Sequence, residues 1–64
     1  MFYHVQVILD AEGKTDRVEL VRKVLWLEQG TFINKFEVIA TFSTVEPAVA
    51  RARTLNDEEI AKDF

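Results

Sequence analysis

Two turn signals bracket residues 16–29, DRVELVRKVLWLEQ, and how this segment folds decides the architecture of the whole chain. Upstream, Asp10, Ala11, Glu12, Gly13 and Lys14 suit a type I turn with Asp at its first position and Gly in the left-handed region closing a bulge. Downstream, Glu28, Gln29, Gly30 and Thr31 form a second turn candidate. Read as a strand, the segment puts Val18, Leu20, Val24 and Trp26 on one face, interrupted by Arg22, and Glu19, Val21, Lys23, Leu25 and Leu27 on the other. Read as a helix, Asp16 caps, Glu19 occupies the third helical position and Gly30 ends it. A short turn feeds a hairpin partner directly, so the strand is the preferred reading.

The flanking segments are plainer. Residues 2–9, FYHVQVIL, are aromatic and β-branched, with Tyr3, Val5, Val7 and Leu9 sharing one face and Phe2, His4, Gln6 and Ile8 the other. Residues 32–42 alternate Phe36, Val38, Ala40 and Phe42 with Glu37, Ile39 and Thr41, the pattern of a strand. Ser43 or Thr44 then caps a helix, with Glu46 and Pro47 in its first turn. Val45, Ala48, Val49, Ala52 and Leu55 follow at helical spacing, and Asn56 is a plausible stop. Residues 57–64 are then a second short helix or a frayed acidic tail.

The expected fold is α+β: one domain over residues 1–64, a three-stranded antiparallel meander with a C-terminal helix on the face of Val5, Val7, Phe36, Val38 and Phe42. The alternative is β-α-β-α with residues 16–29 helical. At 64 residues and 7.4 kDa the chain has room for one core only. Without cysteine it has neither disulfides nor a thiolate zinc site to reinforce that core. A core of this size supplies about 3–5 kcal/mol, so burial completed by a second subunit or another protein is expected.

The open sheet face supplies a surface for that association. On the meander reading it displays Ile8, Val21, Leu25, Leu27 and Ile39 among His4, Lys23, Lys35 and Glu37, more apolar than a wetted face requires. These five apolar residues are the candidate interface, for self-association as a homodimer or for another protein.

The chemistry-bearing residues are few. Ser43 is the one serine, placed where a helix cap belongs, and His4 is the one histidine, on a strand. A nucleophilic triad has no further material, and no HxxxH, HxH or acidic loop gathers metal ligands. With two glycines, Gly13 and Gly30, no phosphate-cradling loop can be built. No enzymatic activity, cofactor or metal is expected.

The net charge of −3 sits in the tail: residues 1–53 hold seven acids and seven bases, while Asp57, Glu58, Glu59 and Asp63 oppose Lys62 alone. That balance argues against nucleic acid. The alternative reading, single-stranded nucleic-acid binding, would stack bases on Trp26 and Phe32 beside Arg22, Lys23 and Lys35. No segment of eighteen apolar residues and no secretory leader is evident, so a cytoplasmic protein is expected, without a membrane partner. The passage ATFSTVEPAVARARTL resembles the strand-to-helix segments of many small bacterial and phage proteins, an unspecific structural pattern that licenses no function; a bacterial or phage origin is an expectation.

Overall fold

The computed structural model describes residues 2–62. Three strands, β1 (Tyr3–Leu9), β2 (Thr15–Glu28) and β3 (Thr31–Phe42), form an open antiparallel sheet in the order β1-β2-β3, followed by one helix, α1 (Val45–Ala61). The meander with a C-terminal helix is therefore the fold, and residues 16–28 belong to its central strand, with Gln29 in the turn that follows.

Both turns have the chemistry their residues dictate. Asp10 accepts hydrogen bonds on Oδ1 from the amides of Glu12 and Lys14, each at 2.9 Å, while Gly13 takes φ +82°. The second turn has two central residues, Gln29 at φ 49° and Gly30 at φ 79°, between the paired Glu28 and Thr31. Positive φ at both central positions is the signature of a type I′ hairpin turn, whose twist matches that of the strands it joins. This tight link leaves residues 16–28 no freedom to leave the sheet.

Val18 and Leu20 of β2 are fully buried against Ala48 and Ala52 of α1, whose small side chains let the helix lie close. The helix starts beside the end of β3 and crosses the sheet diagonally to reach the start of β1, on which it makes most of its contacts. Thr44 is its N-cap residue but makes no side-chain capping bond, and Glu46 favours the positive end of the dipole.

Two sequence expectations are corrected. The helix does not stop at Asn56 but runs through it to Ala61 without a break, because the Asn56 side chain is buried against β1 and does not compete for its own helix's backbone. No second helix starts at Asp57; Asp63 and Phe64 lie outside the described residues. Phe36 and Val38 do not face the helix. In β3, Ala40 lies opposite Leu20 and Val38 opposite Val21, so Ile39 is an extra, bulged residue. The bulge shifts the two-residue alternation by one, sending Val38, Phe36, Asn34 and Phe32 to the open face and Glu37, Lys35 and Ile33 to the helix side.

The result is flat. The extents are 40 × 32 × 13 Å, and the radius of gyration is 14.0 Å against about 11 Å for a compact chain of this length. The excess comes from the β2–β3 hairpin: β1 reaches only as far as Arg22, opposite Tyr3, so residues 23–36 project as a two-stranded arm.

Candidate interaction surface

The open face is built from β1 and β2 residues of one alternation and the bulge-shifted residues of β3. Near its middle Val21 is 2% exposed, covered by its neighbours across the strands, His4 and Val38, and by Phe36. The His4 and Phe36 rings meet edge to face, their centroids 6.1 Å apart. Toward the first turn this face becomes polar: Gln6 Nε2 donates to Glu19 Oε1 at 2.7 Å, and Arg17 pairs with Glu19 at 3.3 Å and with Asp16 at 2.6 Å. The Arg17 guanidinium is held above its ordinary value by its hydrogen bond to Glu19 and then by that to Asp16. It is a fixed positive charge at the rim.

Toward the arm the same face turns apolar. Leu25 and Leu27 are each 63% exposed and Phe32 is 66% exposed, with Phe36 and Val38 also more than half exposed. Where β1 ends and the arm begins, Phe2, Lys23, Leu25 and Asn34 line a shallow hollow of about 290 Å³. On the helix side of the arm, beyond the reach of α1, Lys35 places its ammonium 5.1 Å from the centre of the Trp26 ring, a cation–π contact.

Of the five residues expected to form the interface, Leu25 and Leu27 stand out from the arm on the open face and Ile39 is exposed at the bulge. Ile8 is half-buried. Val21 is not available to a partner, because its strand neighbours close over it. The residues weighed for nucleic acid are divided: Arg22, Trp26 and Lys35 lie on the helix side, Lys23 and Phe32 on the open face. Alternation predicts Phe2 beside His4, but nothing in the sequence marks Ile39 as the bulge that brings Phe36 and Val38 to this surface.

No group of three or more potential metal ligands occurs among the described residues. No helix among them is long and apolar enough to cross a membrane. Comparisons with protein-family models, with curated proteins and with solved structures found no match.

Proposed function

We propose that this chain is a small, non-enzymatic protein-interaction module that works by laying its open sheet face and projecting arm on another protein surface, a second copy of itself included. One observation carries the reading. Leu25, Leu27 and Phe32 occupy an arm with no third strand beside it and no helix on either face. An isolated two-stranded hairpin is marginal in water, and an apolar face of this kind is characteristic of interaction sites. The small core, Val18, Leu20, Val21, Ala48 and Ala52, gives the chain a further reason to gain stability from a partner. His4 packs on Phe36 and Ser43 lies in the turn before α1, which accords with structural roles for both. A cysteine-free chain suits a reducing, cytoplasmic setting.

The test is Leu25→Asp and, separately, Phe32→Asp, followed by sedimentation equilibrium and by circular dichroism. Both side chains are exposed, so the fold should survive with stability changed by about 0.5 kcal/mol or less. Association with itself or with a captured partner should be lost. If both variants associate as the parent chain does, the apolar face of the arm is not the contact surface.

A further inference from the structure

We infer that β3 is a self-complementary sheet edge, and that two copies of this chain pair antiparallel along it, about a two-fold axis at Phe36, into one continuous six-stranded sheet. This rests on the reading of the arm as an association surface and names both its occupant and its register.

The backbone defines which groups are free. The amide of Lys23 donates to the carbonyl of Phe2 at 2.7 Å, so Lys23 spends its backbone groups on the β1 side. Phe36, opposite Lys23 in β3, therefore turns its own N–H and C=O away from β2, toward the free edge. By the same alternation Asn34 and Val38, and Phe32 at the tip, point theirs outward. The bulge at Ile39 ends this regular row.

The charges choose the register. Lys35 and Glu37 flank Phe36 and project to the helix side. With the two-fold axis at Phe36, each Lys35 stands opposite Glu37 of the second copy, while Phe36 meets Phe36 and Asn34 meets Val38 in hydrogen-bonded pairs. Slipping the two strands by two residues moves the axis to Lys35 or to Glu37 and sets like charges face to face, which is destabilising. An axis at Asn34 loses both opposite-charge pairs, and one at Val38 runs the ladder into the bulge.

The geometry of such a dimer answers what the monomer leaves open. A two-fold axis perpendicular to the sheet keeps both helices on one side and both apolar faces on the other. The base of each arm, Asn34 and Lys35, lies against Val38 and Glu37 of the second copy, where the bulge at Ile39 ends the ladder. The surface of the single chain is 4990 Å², against about 4,200 Å² for a compact monomer of its mass. The difference, about 800 Å², is the extra surface of a flat chain with a projecting arm.

The experiment is a charge swap read by sedimentation equilibrium, with circular dichroism as the check on folding. Lys35→Glu and Glu37→Lys each place like charges opposite one another in the homodimer and should weaken association about tenfold. An equimolar mixture of the two variants should form a heterodimer as tight as the parent dimer, because only the mixed pair restores opposite charges. Arg22 lies opposite Glu37 within the chain, so a second readout guards against an effect on folding. Lys35→Cys and Glu37→Cys, in a chain that has no other cysteine, should cross-link efficiently when mixed and poorly when oxidised separately. A parent chain that stays monomeric at millimolar concentration overturns the inference. So does association indifferent to the charge swaps but abolished by Leu25→Asp, an outcome that keeps the apolar sheet face as the interaction surface and excludes the β3 edge.

Discussion

The side-chain amide of Asn56 grips both backbone groups of Tyr3: its Oδ1 accepts from the Tyr3 amide at 3.0 Å and its Nδ2 donates to the Tyr3 carbonyl at 3.2 Å. Tyr3 is the first residue of β1, an edge strand, and these groups point away from β2, since the neighbouring Phe2 carbonyl is the one bonded to Lys23. Asn56 thus fills the place of a fourth strand at this position, tying helix to sheet and closing one end of that edge. No side chain among the described residues caps the outward backbone groups of β3 in this way.

Asn56→Ala should therefore cost about 2 kcal/mol, the loss of two hydrogen bonds at a largely buried site. Urea denaturation followed by circular dichroism measures it. The amide of Tyr3 should at the same time lose its protection from hydrogen exchange. A change below about 0.5 kcal/mol would mean that water replaces the side chain at no cost and that the helix is held by Ala48 and Ala52 alone.

The β2–β3 turn offers a stabilising change. Gln29 sits at φ 49° and Gly30 at φ 79°, conformations that Asn and Gly adopt most easily in a type I′ turn. Gln29→Asn should raise stability by about 0.5 kcal/mol, while Gly30→Ala should lower it by about 1–2 kcal/mol from backbone strain alone, because an added Cβ at Gly30 would meet no atom within 4 Å. Thermal unfolding of the two variants beside the parent chain checks both signs. Equal melting temperatures would show that the arm frays independently of the cooperative unit.

Local chemistry made most of the fold legible. Asp10 and Gly13 mark one hairpin and the Gln29–Gly30 pair the other, and these turns favour the strand for residues 16–28 over the helix that Asp16, Glu19 and Gly30 also allow. What the sequence did not show are effects whose cause lies elsewhere in the molecule. Asn56 looks like a helix stop until β1 supplies backbone partners for its amide. Ile39 looks like any alternating strand residue, yet as a bulge it exchanges the faces of Phe36 and Lys35. Leu25 and Leu27 were legible as surface residues because β2 alternates regularly to its end; Val21 was not, because its burial depends on the bulge that brings Val38 and Phe36 over it.

The bulge itself can be removed. Deleting Ile39 leaves Ala40 opposite Leu20 and Val38 opposite Val21 in a regular ladder, with every other side chain still on its present face. The deletion variant should fold with a loss below about 1 kcal/mol, since the residue lost is about half exposed. It should also extend the regular row of outward-facing amides in β3. If the variant fails to fold, the bulge is required for the strand's twist and not merely tolerated by it.

Hydrogen exchange separates the two edges of β3 residue by residue. The amides of Ile33, Lys35 and Glu37 face β2 and are bonded within the chain, so their protection should not depend on protein concentration. The amides of Asn34, Phe36 and Val38 face outward and have no partner strand among the described residues. In dilute solution they should exchange at nearly the rate of an unstructured chain. As concentration rises through the association range they should become protected together, with Phe36 the most strongly protected because it lies on the symmetry axis. Pairing through the apolar face alone would leave this alternation unchanged at every concentration, since the sheet face covers side chains and not the edge amides.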